Sequence, residues 1–151
     1  MIVLLAVAFA GGRYYFMVYR KSAGFALSGF LGAVNKGKVS DQYAYIDDAD
    51  KSSDYPTEAD WDKSVLAHGF VDRVPSVSLA SPEIDAKDPH VAKISVSVSI
   101  RKVGQELYQA ASDTDTDHYV MRQDKNGDWK VVISESDIVS FQKATPSKIG
   151  F

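Results

Sequence analysis

Cysteine is absent from the 151 residues. That excludes disulfide staples, thiolate metal sites and a cysteine nucleophile, and leaves the redox compartment undecided. Acidic residues are absent from the first forty positions, where Arg13, Arg20, Lys21, Lys36 and Lys38 stand alone. The other 12 of the 17 basic residues and all 20 acidic ones follow, a balance of −8. A surface of that sign is repelled by phosphate backbones, and no basic stripe with interleaved aromatics relieves it, so nucleic acid is not an expected partner. No glycine loop is built to cradle phosphate either, since Gly11 and Gly12 fall inside an apolar run. What is present suffices for one ordinary domain: 45% apolar residues and 11% aromatics are enough to build a core.

The apolar run is "MIVLLAVAFAGGRYYFMVYRKS". Residues 2–19 carry one charge, and as a helix they reach roughly 27 Å, close to the roughly 30 Å of a bilayer's hydrocarbon. Arg13 lies toward the end where Tyr14, Tyr15, Tyr19, Arg20 and Lys21 gather, the composition of a headgroup layer in which arginine snorkels. Arg13 can also face an acid on a neighbouring subunit. Ala8-Phe9-Ala10 resembles a cleavage site, but no charged segment precedes it and the apolar stretch before it is short. A core helix would show polar alternation, and this one does not. The expectation is an uncleaved, single-pass transmembrane anchor over residues 1–21, with a domain at 22–140 and a tail at 141–151. The flanking charges favour a cytoplasmic domain.

Within the domain, "SAGFALSGFLGAVNKGK" predicts a helix capped by Ser22 and stopped at Asn35-Lys36-Gly37, with Phe25, Phe30, Leu31 and Val34 on one face. Gly24, Ser28 and Gly32 follow each other at helical spacing, a small-residue stripe that can admit a partner helix or pack loosely on the domain's own sheet. Tyr43 to Ile46 start a second short apolar element. "DDADKSSDYP" reads as an acidic loop. Thr57 with Asp60 then resembles a capping box, Trp61, Val65 and Leu66 are expected to face inward, and His68-Gly69 ends that helix. Beyond Pro75 the period becomes two. "VPSVSLASPEI" predicts one strand, and "VAKISVSVSIRKV" predicts another with Ile94, Val96, Val98 and Ile100 inward. "HYVMRQD" and "DWKVVIS" flank Asn126-Gly127, a hairpin signal. "GQELYQAASDTDTD" is expected to extend a strand and then loop. The order is α+β: an N-terminal transmembrane helix, then helices packed on a curved antiparallel sheet of about four strands.

The helix ending "FLGAVNKGKVSDQYAYI", the element around Trp61 and the closing "RQDKNGDWKVV" resemble the nuclear-transport-factor-2-like (cystatin-like) superfamily over about residues 22 to 139. The resemblance implies a cone-shaped domain, with a sheet wrapped around helices and a pocket at its open end. Many bacterial members carry such a domain behind a membrane anchor, which implies an extracytoplasmic domain, against the charge count. The superfamily does not imply one activity. It includes isomerases, dehydratases, non-catalytic subunits and inner-membrane scaffolds of type IV secretion, so function rests on the site.

Isomerase-like members use an acid facing into the cone with a tyrosine nearby, and Tyr43 or Tyr45 with Asp47 or Asp48 are the residues available. Asp113, Asp115 and Asp117 start like a calcium loop, but His118 stands where glycine is needed and Asp124 replaces the final glutamate. His68, His90 and His118 have no ligand spacing. Ser95, Ser97 and Ser99 read as strand-face serines that no histidine or glycine elbow accompanies. No catalytic residue, cofactor or metal site is therefore assigned. The expected function is a non-enzymatic accessory or assembly subunit of a larger membrane complex, with other membrane-protein subunits and the lipid bilayer as partners and a homo-oligomer as an option. The alternatives are a scaffold of a secretion or transfer machine and a small-molecule-binding cone domain. The contacts expected to serve partner or membrane are Arg13, Tyr14, Tyr15, Tyr19, Arg20, Lys21, Gly24, Ser28 and Gly32.

Overall fold

The structure, a computed structural model, describes residues 20–70, 73–102 and 114–142, with side chains undescribed at 73–75, 100–102 and 141–142. It is α+β. Helices α1 (Ala23–Asn35), α2 (Val39–Ala44), α3 (Asp48–Ser53) and α4 (Glu58–Asp62) and a 3-10 turn (Leu66–His68) come first. Strands β1 (Arg73–Leu79), β2 (Glu83–Ile84), β3 (Val91–Lys102), β4 (Thr114–Gln123) and β5 (Trp129–Asp137) and a short α5 (Val139–Gln142) follow.

Among the described residues no helix is long and apolar enough to cross a membrane. This corrects the expected architecture of a transmembrane helix ahead of the domain: the fold that the chain shows is short helices on an antiparallel sheet. The stretch on which the anchor was expected, up to Tyr19, lies outside the described residues. So do "GQELYQAASD" and the tail after Gln142.

Helix α1 begins and ends as its sequence dictates. Ser22 Oγ accepts from the Phe25 N–H at 3.2 Å, and the last turn closes through Gly37, whose φ of +64° suits a residue without Cβ. The Gly37 N–H then bonds the Val34 carbonyl and the Lys38 N–H the Ala33 carbonyl, at 3.1 and 3.0 Å, which satisfies carbonyls left over at a helix end. Leu27, Phe30, Leu31 and Val34 are buried. Helix α2 buries a single residue, Gln42, whose amide spans three elements. Its Nε2 donates to the carbonyls of Ala33 and Ala67 at 3.3 and 3.2 Å, and its Oε1 accepts from the Trp61 indole at 2.9 Å. The Thr57–Asp60 capping box forms as expected. Trp61 is buried, but Val65 is 52% exposed. It was expected inside because α4 was read as continuing; the helix stops at Asp62, and the chain turns before Val65 can return to the buried face.

Among the described residues five strands form one sheet in the order β1-β3-β4-β5, with β2 beside β1 on β3 and every pair antiparallel. The single strand expected from Val74 to Ile84 is thus two, parted at Ala80–Pro82. Alternation on β3 is as read: Ile94, Val96 and Val98 are buried, and Ser95 and Ser97 are exposed. The Asn126-Gly127 turn joins β4 and β5, with Gly127 at φ +81°. "DDADKSSD" is not a loop but α3, capped by the Asp47 carboxylate on the Ala49 N–H at 3.1 Å. A one-residue parallel bridge, Ile46 to Val131, ties the α2–α3 junction to β5.

Pairing of β4 with β5 slips between His118 and Val120. Residues 133–136 of β5 oppose Tyr119 alone, a wide bulge that leaves backbone donors to be satisfied. Ser136 Oγ donates to the Val132 carbonyl at 2.6 Å and accepts from the Val120 N–H at 2.9 Å. The buried Asp50 carboxylate reaches in from α3 and accepts from Ile133 and Ser134 N–H at 2.5 and 3.3 Å.

Candidate docking site

The carboxylates and tyrosines considered for chemistry are taken up by the fold. The Tyr43 hydroxyl donates to the Tyr55 carbonyl at 2.8 Å. Asp47 caps α3 and lies 3.6 Å from the Arg122 guanidinium, and Asp48 is exposed, 4.0 Å from Lys51. Asp117, read as part of an acidic loop that only begins like a calcium loop, sits buried in β4, where Oδ1 accepts from Val139 and Ser140 N–H at 2.9 Å each and Oδ2 from the Ser140 hydroxyl at 2.5 Å. It caps α5. Asp124 accepts from Asn126 and Asp128 N–H inside the hairpin, at 2.8 and 3.0 Å; those backbone donors, the Asp128 one foremost, hold its carboxyl below the ordinary value. Asp113 lies outside the described residues. Among the described residues no three His, Asp or Glu side chains gather to hold a metal ion.

Strand pairing makes one contact that the sequence hides. His118 lies opposite Ser95, with Ser95 Oγ 3.1 Å from His118 Nδ1. The pair borders a groove of about 430 Å³ with Glu83, Lys93, Glu135 and Asp137. Both residues are exposed to solvent, so the serine has neither a desolvated base nor a sheltered site, and the contact is a cross-strand hydroxyl–imidazole pair.

One buried polar atom has no partner. The Tyr119 hydroxyl is enclosed in the core and makes no hydrogen bond among the described residues. Burial, and secondarily the Asp117 charge, raises its pKa well above the usual 10.0. An orphaned buried hydroxyl costs about 1–3 kcal/mol. Tyr119→Phe is therefore expected to stabilise the protein by about 1 kcal/mol, read from the urea midpoint. A drop in stability would mean that the hydroxyl is satisfied. Because the folded-state pKa is raised, the unfolded phenol ionises first as pH climbs past 10.0. Stability should fall above that pH, and less steeply in Tyr119→Phe.

The remaining candidates cluster on α1. Arg20 and Lys21 are exposed at its entry, with the Arg20 guanidinium 5.7 Å from the centre of the Phe25 ring. A Cβ at Gly24 would meet Pro82 at an ordinary 3.5 Å, whereas one at Gly32 would meet nothing within 4 Å. Ser28 is exposed. Ser28 and Gly32 thus form a low ridge between two grooves. One, about 530 Å³, runs between α1 and α2 over Phe25, Gly29, Ala33, Ala44 and Tyr45, with Lys36, Lys38 and Asp41 on its rim. The other, about 270 Å³, is bordered by Leu31, Asn35, Phe70, Val77 and Leu79. The first continues past Phe25 and Tyr45 into a hollow with Arg20, Lys21, Asp128, Trp129 and Lys130. Five cations and two carboxylates border the two together, and Lys130 lies 3.9 Å from a third carboxylate, Asp124. Lys21 and Lys36 meet no acid among the described residues, and the Lys38–Asp41 pair, 3.8 Å apart and more than 60% exposed on both sides, neutralises little. Arg13, Tyr14, Tyr15 and Tyr19 lie outside the described residues.

Gly29, which the sequence did not mark, shapes the floor. A Cβ there would collide with the Tyr45 hydroxyl and come within 2.7 Å of its Cζ. Gly29→Ala is expected to displace Tyr45 and cost roughly 1–3 kcal/mol as an overpacking change. Adding Tyr45→Ala should remove the added penalty, which a double-mutant cycle on thermal unfolding would show.

No protein-family model, curated protein or solved structure matches this chain. The superfamily resemblance accordingly stands on the quoted motifs alone.

Proposed function

We propose that this protein is a non-enzymatic accessory or assembly subunit of a larger complex, working beside a membrane and docking through the outer face of α1. The observation that carries this reading is the Ser28–Gly32 ridge, uncovered among the described residues, between two grooves of which the one along α2 has a cationic rim. A helix face with small side chains and no partner of its own admits another element closely, and a polar rim around an apolar floor is the usual anatomy of an interface. The buried carboxylates support it from the other side: Asp47, Asp50 and Asp117 all accept backbone hydrogen bonds and line none of the grooves described above. The apolar composition of residues 2–19, next to Arg20 and Lys21, supports partners that are membrane proteins and lipid. The superfamily resemblance, itself part of the proposal, is compatible because that group includes non-catalytic subunits.

The test is extraction of native membranes in mild detergent with a tag after Phe151, followed by sizing and mass spectrometry. Stoichiometric co-purification of other membrane proteins, lost on Gly32→Trp, is the expected result. A lone monomer would overturn the reading. A ligand-binding domain is the second reading, favoured by the unpartnered Tyr119 hydroxyl; a small molecule retained in native mass spectrometry and lost in Tyr119→Phe would decide for it.

A further inference from the structure

The chain carries a second surface whose chemistry mirrors the α1–α2 groove. Residues 47–63 hold seven acids and two lysines. In α4, Glu58 and Asp62 are one helical turn apart, both exposed, and Val65, 52% exposed, follows three residues later. Val65 is one of two exposed large hydrophobics among the described residues. Glu58 has no cationic partner among them, and Asp62 meets only His68, at 3.0 Å on the surface. None of the residues 46–69 lines the basic groove or its continuation, so the two surfaces are separate. One presents an exposed apolar residue that follows two exposed carboxylates in the chain; the other presents an apolar floor with Lys36, Lys38 and Asp41 at its edge.

Resting on the reading of the groove as a docking site, we propose that its occupant is a second copy of this chain, which seats the α4 face, with Glu58, Asp62 and Val65, against Phe25, Lys36 and Lys38. Opposite charges placed this way speed encounter and set register. Because unlike faces meet, a pair joined this way keeps one free groove on one copy and one free α4 face on the other, and the contact repeats from copy to copy as a ring or an open row.

The test mixes light and isotope-heavy full-length protein in mild detergent and couples lysines to carboxylates with a zero-length carbodiimide reagent. Mixed-isotope peptides joining Lys36 or Lys38 to Glu58 or Asp62 are expected. Each variant deletes the amine or the carboxylate that the reagent joins, so self-association is followed by analytical ultracentrifugation: the Lys36→Glu/Lys38→Glu variant and the Glu58→Lys/Asp62→Lys variant should each associate about tenfold or more weakly when alone, since like charges then face each other. Mixed together, the two variants should associate again and regain mixed-isotope products, because each new charge finds its opposite. Unchanged circular dichroism and melting would show that both variants fold. Absence of mixed-isotope products in the wild type, or their persistence at other sites only, would overturn the proposal. So would a failure of the two variants to rescue each other. Co-purifying membrane proteins without mixed-isotope products would end this inference and leave the accessory-subunit reading standing.

Discussion

Replacing Trp61 by alanine is expected to cost roughly 4 kcal/mol, within the range for a fully buried tryptophan. That is much of the roughly 5–15 kcal/mol that holds a typical domain together. The indole is wholly buried. Its ring meets Tyr55 edge-on with centroids 5.0 Å apart and lies 6.2 Å from Phe30 at a tilt, so truncation opens a cavity where α1, α2 and α4 converge. A second loss is polar. Among the described residues Gln42 Oε1 accepts only the Trp61 N–H, at 2.9 Å, and without it a buried acceptor is stranded. Trp61→Phe separates the two contributions by keeping most of the packing and deleting the donor, at about 1–2 kcal/mol. Coupling of Trp61→Phe with Gln42→Leu in a double-mutant cycle should be about 1 kcal/mol. Zero coupling would mean that the indole bond contributes nothing. Equilibrium urea unfolding supplies all four stabilities.

Asp50→Ala is expected to cost about 3 kcal/mol, from two charge-assisted bonds at about 1.5–3 kcal/mol apiece, softened by relaxation. The carboxylate is buried and is the acceptor for both Ile133 and Ser134 N–H. Those donors exist because the bulge takes them out of the β4–β5 ladder, and alanine would leave them dry. Asp50→Asn keeps one acceptor oxygen and should cost about half as much. With a urea slope of about 1–3 kcal/mol per molar, the alanine variant's midpoint should drop by roughly 1.5 M. Amide exchange gives the sharper reading: Ile133 and Ser134 should lose protection before the rest of β5 does. Uniform loss across the strand would show that Asp50 does not act locally at the bulge.

How far the fold could be read in advance depended on whether a signal was local. Ser22, Gly37, Thr57 with Asp60 and Gly127 each act within a few residues, and each marks an element end where expected. The period of two in β3 survived because one face of that strand is buried and the other is not. What failed was long-range. Nothing in "DDADKSSD" announces that its third Asp is drawn into the core by β5, 83 residues away. The same holds for Asp117, whose alternation with Asp115 looks like an ion loop until α5 folds back onto it. Ser95 and His118 meet only through register, which period alone does not set. On α1, the helical spacing of Gly24, Ser28 and Gly32 could be read from the sequence, but the close approach at Gly29 could not, because it depends on where Tyr45 lands. The anchor expected before Tyr19 stands apart from these cases: it rested on composition, and the fold that is described contains no such helix.

The Ile46–Val131 bridge carries a consequence for the order of events when the chain folds. The Val131 N–H bonds the Tyr45 carbonyl at 2.7 Å, the Asp47 N–H bonds the Val131 carbonyl at 3.0 Å, and Lys130 reaches the Ala44 carbonyl at 3.0 Å. A junction between two six-residue helices is thereby stitched to the last strand, across 86 residues. Helices that short do not hold alone in water. During synthesis, α2 and α3 must therefore wait until residues 129–137 have left the ribosome. Closing so wide a loop late places this domain among slow folders, whose incompletely folded chains expose apolar surface and need shelter.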